Sequence, residues 1–221
     1  MAREKIADKR ARALAVADRM NNYYGQAECA LNYTSPFTLT IAVLLSAQTT
    51  DAGVNKVTPI LFDRYGTPEA MAQADVEDVM NIIHSIGFYR NKAKNCIATA
   101  QMIMSDFGGE VPHTMEELQR LPGVGRKTAN IVLNEAFGIV EGIAVDTHVF
   151  RIAHILKFAG PSADTPAKTE EVLLRLYPQK YWKPINHQWV LFGREFCIAR
   201  RPRCTQCFIS DLCPNAPKEN T

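Results

Sequence analysis

The sequence lacks the features of a secreted or membrane-bound protein. No apolar run among its 221 residues reaches the roughly 18 residues needed to span a bilayer. The first ten residues are rich in charge and contain no apolar core of a signal peptide. We therefore expect a cytoplasmic protein with no membrane partner, in which the six cysteines are thiols or metal ligands rather than disulfides.

Signals of β-structure and a strong charge of either sign are lacking as well. No alternating strand pair and no hairpin dipeptide lies between apolar runs, whereas helix caps and apolar residues at helical spacing recur along the chain. These patterns predict an all-α protein with a substantial core. The net charge of +2 is too mild to indicate a nucleic-acid partner by itself, so the placement of the basic residues must decide.

A glycine-containing turn between two helices is the most informative stretch. Thr114 and Glu117 form a capping box, which predicts a helix beginning at residue 115, and Pro122 ends that helix. Gly123 and Gly125 then bracket a turn in which a positive φ costs little. A helical apolar pattern resumes after the turn, so the segment predicts a helix-hairpin-helix motif.

This hairpin suits a DNA phosphate. The two glycines leave room for a phosphate at the amides of residues 123–125, Val124 included, and the positive end of the following helix adds attraction. Lys127 lies in the first turn of that helix, where the helix dipole disfavours a protonated amine. A lysine that gives up its proton easily is a nucleophile, so the hairpin alone leaves a phosphate-contacting and a catalytic lysine equally open.

Asp146 follows nineteen residues after Lys127, between Val145 and Thr147. This is a typical N-cap position, and most aspartates in such a setting only cap a helix. Capping and catalysis are compatible, because amide donors keep a carboxylate ionised. His148 either bonds to Asp146 or to a bound nucleotide, or is a plain structural histidine.

Four cysteines close to the C-terminus have the spacing C-x6-C-x2-C-x5-C: Cys197, Cys204, Cys207 and Cys213. Thiolates this close together can hold a metal or a cluster. Structural zinc sites usually contain two short cysteine pairs and only one pair here is short, so zinc and a 4Fe-4S cluster both remain open. Cys29 and Cys96 have no such neighbours and are expected to be buried, inert thiols.

Basic residues crowd the same segment. Arg200, Arg201 and Arg203 lie in the six-residue loop between the first two cysteines, where cluster ligation would hold them rigid. A solvated basic loop is the plain interpretation. Beside a phosphate-binding hairpin, a contact with the DNA backbone is favoured.

Taken together, residues 121–129, Asp146 and the cysteine spacing closely resemble bacterial endonuclease III, a DNA glycosylase and AP lyase family of the helix-hairpin-helix superfamily. Residues 44–51 and 197–200 also resemble that family, and the resemblance covers about residues 10–214. It implies two helical lobes with a cleft between them. Residues 29–136 would form a six-helix lobe with the hairpin, and residues 1–28 with 137–221 a lobe with a 4Fe-4S cluster loop.

The resemblance also implies roles for individual residues. Lys127 would be the nucleophile and Asp146 its catalytic carboxylate. Gln48, at the end of an apolar helix, and Phe88 would fill the gap left when a damaged nucleotide is flipped out of the duplex. Phe88 stands where relatives often carry leucine, and a packed core aromatic is the alternative for it.

The implied function is base excision repair. A bifunctional enzyme would remove oxidised pyrimidines from damaged double-stranded DNA and nick the strand by β-elimination through a lysine Schiff base. We expect it to act as a monomer on the nucleoid. A pyrimidine-dimer glycosylase and a non-catalytic, redox-sensing DNA-binding module are the alternatives. An adenine glycosylase of the superfamily would lack Lys127. Lys127 also separates the enzymes from the non-catalytic module, because borohydride traps a covalent complex with abasic-site DNA only if this lysine forms a Schiff base.

Overall fold

The structure is a computed structural model that describes residues 4–25, 27 and 29–217. Within these ranges every regular element is helical, which confirms the predicted all-α class. No helix in the described ranges is both long and apolar enough to cross a membrane. The chain divides into two compact units, unit 1 with Met1–Glu28 and Gly142–Thr221, and unit 2 with Cys29–Glu141.

Unit 2 contains seven α-helices. They are α2 (Pro36–Leu45), α3 (Asp51–Tyr65), α4 (Pro68–Ala72), α5 (Val76–Ile83), α6 (Tyr89–Asp106), α7 (Met115–Leu118) and α8 (Arg126–Ala136). The resemblance implied six, one fewer than the structure has, and two of the seven, α4 and α7, are single turns of five and four residues.

The centre of unit 2 is α2. Nine of its ten residues are buried, as the apolar run predicts for a central helix rather than a strand. Its start is set by a capping box in which Ser35 and Thr38 each accept a hydrogen bond from the other's backbone N–H, at 3.1 and 2.8 Å. Helices α3, α6 and α8 pack around it. This packing fixes the helix that carries Lys127 against a rigid centre.

The described residues of unit 1 form four α-helices and three short 3₁₀ helices. They are α1 (Ile6–Tyr24), α9 (Thr147–Ile155), α10 (Pro166–Leu176) and α11 (Trp182–Glu195), with 3₁₀ turns at Gln179–Tyr181, Cys204–Gln206 and Ser210–Leu212. Its core is aromatic, with Phe158, Tyr177, Trp189 and Phe192 no more than 2% exposed. Gln188 of α11 donates to the side chain of Asn21 at 2.7 Å, so the first helix is joined to the last.

The division after α8 lies later than the sequence placed it. The prediction ended the hairpin lobe at residue 136, whereas unit 2 extends to Glu141. Beyond α8 the chain turns back on the helix, because the N–H groups of Phe137 and Ile139 both donate to the carbonyl of Leu133, at 3.2 and 3.0 Å. Gly138 makes that turn with a φ of 67°.

Candidate active site and iron–sulfur segment

The hairpin between α7 and α8 is anchored by two buried side chains and exposes two glycines. Leu121 and Val124 are 2% and 5% exposed, and the N–H of Val124 donates to the carbonyl of Leu121 at 3.0 Å. Gly123 and Gly125 are exposed, and neither N–H donates to a backbone carbonyl within the described part of the chain. The two glycines therefore supply the open amides, while Val124 holds the turn.

The two glycines are required for different reasons. Gly123 has a φ of 79°, and a Cβ placed on it would lie 2.7 Å from the side-chain nitrogen of Asn95. Gly125, the other glycine that brackets the turn, has an extended φ of −90° and an open environment. It is the N-cap of α8 and makes no side-chain cap. Thr99 donates to the carbonyl of Pro122 at 2.9 Å, so α6 holds the hairpin in place.

Lys127 is partly buried in the first turn of α8, at the positive end of the helix. The charge of Lys127 affects the pKa of the Cys29 thiol in unit 2, as do the charges of Glu135 and Asp51. Burial is the main cause that raises the pKa of Cys29, so this thiol stays protonated at neutral pH. Burial likewise raises the pKa of Cys96 to about 12. Cys96 is buried as expected, whereas Cys29 is only partly buried.

Asp146 is the N-cap of α9, in unit 1. Its Oδ1 accepts hydrogen bonds from the N–H groups of His148 and Val149, at 2.9 and 2.8 Å. Its Oδ2 lies 3.1 Å from Nδ1 of His148, which answers the question left open for that histidine. The cap therefore directs both carboxylate oxygens of Asp146, one through two backbone N–H groups and the other through an imidazole.

The segment leading to Asp146 is held by two buried polar side chains that sequence reasoning missed. Glu170 of α10 accepts from the N–H of Ile143 at 3.2 Å, and Asn186 of α11 donates to the carbonyl of Ala144 at 2.7 Å. Glu170 is 3% and Asn186 7% exposed. In the sequence, the available signal for these two residues was a polar side chain on an otherwise apolar helix face. These contacts leave Asp146 little freedom to move.

Gln48 and Phe88 are both exposed and both have left-handed backbones, with φ of 55° and 59°. Phe88 is 64% exposed, so the alternative of a packed core aromatic is wrong. The loops that carry them meet in unit 2, since a Cβ placed on Gly87 would lie 3.9 Å from the carbonyl oxygen of Gln48. The structure therefore brings together the two residues that were predicted to fill the gap in the duplex.

The four C-terminal cysteines line one cavity of about 190 Å³ in unit 1, together with Leu156, Phe192, Phe196 and Ile209. None of the four forms a disulfide. Burial raises the pKa of the Cys197 and Cys207 thiols, so thiolates are stable in this cavity only beside positive charge such as that of a metal.

The cavity leaves room for a cluster between the four cysteines. Zinc–sulfur bonds of about 2.3 Å would draw four sulfurs around one point. A 4Fe-4S core instead occupies the space between its ligands, as the cysteine-lined cavity allows.

Arginines fix the cysteine segment to the helices of unit 1. Arg12 donates to the carbonyl of Leu212 at 3.2 Å, and Arg19 pairs with Asp211. Arg151 of α9 donates to the carbonyl of Cys197, and the same nitrogen lies 3.8 Å from the sulfur. None of these three arginines was singled out from the sequence, because nothing local distinguishes them from other helix-surface bases.

The basic loop between the first two cysteines is exposed at all three predicted positions, Arg200, Arg201 and Arg203. Its ends are tied to α11, because the N–H of Arg203 donates to the carbonyl of Phe196 at 2.8 Å and that of Cys197 to the carbonyl of Phe192 at 2.9 Å. The guanidinium groups are therefore displayed from a short, closed loop.

These features define a helix-hairpin-helix DNA repair protein with an iron–sulfur segment. The sequence model of the HhH-GPD superfamily of base excision DNA repair proteins matches residues 41–179. The sequence model of the iron-sulfur binding domain of endonuclease III matches residues 197–213, which begin and end at the outer cysteines.

The similar proteins are more particular. Endonuclease III from Synechocystis is 45% identical over 212 residues, which are 96% of each chain. Endonuclease III from Escherichia coli K12 is 46% identical over 204 residues, 92% of this chain and 95% of that protein. A structure of a non-covalent endonuclease III–DNA complex has a TM-score of 0.88 at 42% identity, covering 94% of this chain and 96% of the other. The chain belongs to the endonuclease III family.

Membership of this family confirms the predicted reaction class. The protein is a DNA glycosylase with AP lyase activity in base excision repair, it binds DNA, and the cysteine segment holds a 4Fe-4S cluster. The alternatives of zinc and of a non-catalytic DNA-binding module are therefore set aside.

Proposed function

We propose that Lys127 is the nucleophile and Asp146 the catalytic carboxylate of a glycosylase that removes oxidised pyrimidines from duplex DNA. The observation that carries the proposal is the environment of Asp146, whose carboxylate receives two backbone N–H groups and an imidazole at 2.8 to 3.1 Å. A carboxylate held as an anion stabilises the positive charge that develops on a sugar as its base leaves. A similar solved structure is a trapped endonuclease III–DNA covalent intermediate, which supports a covalent route.

The proposed chemistry follows from the residue types. Asp146 accepts a proton from the ammonium of Lys127, and the neutral amine attacks C1′ of the flipped nucleotide. The base leaves with the electrons of the glycosidic bond. Ring opening then gives a Schiff base between Lys127 and C1′. Loss of a proton from C2′ breaks the C3′–O bond, so the 3′ phosphate is released and the strand is nicked.

Binding of the DNA backbone is proposed for two separate surfaces. The amides of Gly123 and Gly125, at the positive end of α8, bind a phosphate close to Lys127. Arg200, Arg201 and Arg203 bind further phosphates through their charge. Gln48 and Phe88 enter the stack where the nucleotide has left, and thereby offset the few kcal/mol that flipping costs.

The cluster's proposed contribution is structural. When bound, it links four cysteine thiolates and so holds together a segment that has little regular structure of its own. The chain's own residues do the rest: Arg12, Arg19 and Arg151 hold the segment on its helices. We propose that loss of the cluster weakens DNA binding through the basic loop before it affects the covalent chemistry.

The decisive experiment is borohydride trapping. Native protein, Lys127→Gln and the matched control Lys56→Gln, an exposed lysine of α3, are mixed with duplexes containing an abasic site, thymine glycol, oxidised guanine or a pyrimidine dimer. We expect native protein and the control to be trapped on the abasic site and thymine glycol, and Lys127→Gln to be trapped on neither. Trapping that survives Lys127→Gln would assign the nucleophile to another residue. Preferred trapping on the dimer would replace the proposed substrate.

We further propose that the protein acts as a monomer on chromosomal DNA in the cytoplasm. The two surfaces and the catalytic pair described above all belong to one chain, so no second copy is needed to complete the site. Sedimentation of the protein with and without a lesion-containing duplex tests this. A single chain per duplex is expected, and a stable dimer would overturn it.

A further inference from the structure

Lys92 of α6 is a buried lysine that the proposed chemistry does not use. Its side chain is only 5% exposed, which is unusual for an ammonium. Its Nζ donates to Oγ1 of Thr49 at 2.8 Å. Its backbone N–H donates to the carbonyl of Phe88 at 3.1 Å. The bond to Phe88 is the ordinary first bond of α6, so the side chain of Lys92 ties the loop of Gln48 to the helix turn that Phe88 caps.

Thr49 directly follows Gln48 and holds the end of that loop. Its N–H donates to the carbonyl of Ser46 at 3.0 Å, closing a turn around Gln48. Its methyl group lies against α3, since a Cβ placed on Gly53 would be 3.2 Å from it. The hydroxyl points the other way and accepts from Lys92. The side chain of Thr49 therefore connects the turn to α3 and to α6.

Both exposed residues have backbones that need such support. Left-handed φ values of 55° for Gln48 and 59° for Phe88 are unfavourable for residues other than glycine. Conformations of this kind persist when the surroundings over-determine them. The two loops share one neighbouring residue, Lys92, which bonds to Phe88 through its backbone and to Thr49 through its side chain.

We propose that Lys92 is a positioning residue that holds the loops of Gln48 and Phe88 in register for insertion into DNA. The proposal rests on the insertion roles proposed above for those two residues. Lys92 itself touches neither the sugar nor the base. It sets the separation of the two inserted groups, and so the ability of the protein to distinguish a flipped-out site from intact duplex.

A positioning role predicts that stability and DNA recognition respond differently to the loss of Lys92, which a purely structural role does not. Burial lowers the pKa of Lys92, since desolvation disfavours its charge. Replacing Lys92 with an apolar side chain of similar length removes the cost of burying its charge. Lys92→Met should therefore leave the melting temperature unchanged or higher. It should nevertheless weaken the recognition of damaged DNA, because the link to Thr49 is lost.

The test compares Lys92→Met, Thr49→Val and Thr49→Ser in the full-length holoprotein. Thr49→Val keeps the methyl group against α3 and removes the hydroxyl, whereas Thr49→Ser keeps the hydroxyl that accepts from Lys92. For each variant, the melting temperature is measured together with dissociation constants for a duplex containing a tetrahydrofuran abasic analogue and for the same duplex undamaged. A 2-aminopurine beside the analogue reports opening of the stack by its fluorescence.

Lys92→Met and Thr49→Val should each lower discrimination between the two duplexes by about tenfold, which is the effect of losing one hydrogen bond from a charged group. The double variant should lose no more than either single variant. Thr49→Ser should retain discrimination and the fluorescence increase. Binding to undamaged duplex should not change.

Two further variants, Gln48→Ala and Phe88→Ala, separate the two proposals. If these variants lower discrimination while Lys92→Met and Thr49→Val do not, insertion stands and the positioning role of Lys92 is wrong. If they leave discrimination unchanged, the insertion roles are wrong and the role of Lys92 falls with them. A loss of discrimination that merely follows a lower melting temperature in Lys92→Met and Thr49→Val would make Lys92 an ordinary core residue.

Discussion

The hairpin of unit 2 and the cysteine segment of unit 1 are held in place by different means. Residues 121–125 of the hairpin lie between two helices, are anchored by buried Leu121 and Val124, and are bonded to α6. Residues 197–213 contain only two short 3₁₀ turns and surround a cavity lined by cysteines. Ordinary packing maintains the first segment, whereas arginines of α1 and α9 hold the second, and we propose that it also depends on its cluster. The chemistry of Lys127 should therefore be insensitive to events that disrupt the basic loop.

The largest expected effect concerns the carboxylate. Asp146→Asn keeps a side-chain oxygen for the cap of α9 but removes the charge. Base excision should fall by roughly a thousandfold, because preorganised charge at a developing cation is worth several kcal/mol. Single-turnover kinetics on a thymine glycol duplex measures this, with thermal unfolding as the check that the cap survives. A rate within a few fold of native protein would mean that Asp146 only caps its helix.

Removing the cluster tests most directly whether the cysteine segment, unlike the hairpin, depends on the cluster. Cys207→Ser should abolish the absorption band expected near ~400 nm for iron–sulfur proteins. It should weaken binding to undamaged duplex about tenfold or more and reduce the salt dependence of binding, because each phosphate contact that is lost lowers the slope by about 1. Cys29→Ser, outside the segment, is the matched control and should change neither quantity. Unchanged DNA binding by folded, cluster-free protein would contradict the role given to the basic loop.

A pair of glycine substitutions tests which of the two hairpin glycines is at a strained position. Gly123→Ala meets a positive φ and the side chain of Asn95 at 2.7 Å, so it should cost about 1–3 kcal/mol of stability. Gly125→Ala meets neither obstacle and loses only the preference of an N-cap for glycine over alanine, which should cost about 0.5–1 kcal/mol. Denaturant unfolding of both variants measures the difference. Equal costs would show that Gly123 is not the strained position.

The smallest expected effect is an acid sensitivity of unit 1. The guanidinium of Arg19 holds the pKa of Asp211 below its ordinary value of 3.8. A lowered pKa means that the stabilisation is present above about pH 3.8 and is lost as the pH falls through the pKa of the folded protein. Asp211→Asn should therefore lower the melting temperature slightly at neutral pH and by less at pH 3. An equal effect at both values would show that the ion pair contributes nothing.

Much of the fold could be read from local chemistry. Helix starts followed from caps whose donors and acceptors are neighbours in the chain, as at Thr114 and Asp146, and the buried centre followed from an apolar run with no polar face. The cysteine spacing predicted a metal or cluster site for the same reason, since its ligands lie within one short segment. The six helices expected for unit 2 and its end at residue 136 were less accurate, because single turns and helix ends depend on the last few hydrogen bonds.

The sequence by itself determined the elements whose causes lie within a few residues of each other: the caps, the hairpin with its lysine, and the cysteine cluster. The tertiary structure alone decided what distant residues do together. The bond from Lys92 to Thr49 spans 43 positions, and those from Glu170 and Asn186 to the segment before Asp146 span 27 and 42. No local pattern encodes these contacts, because burial and partner are set only when the helices pack.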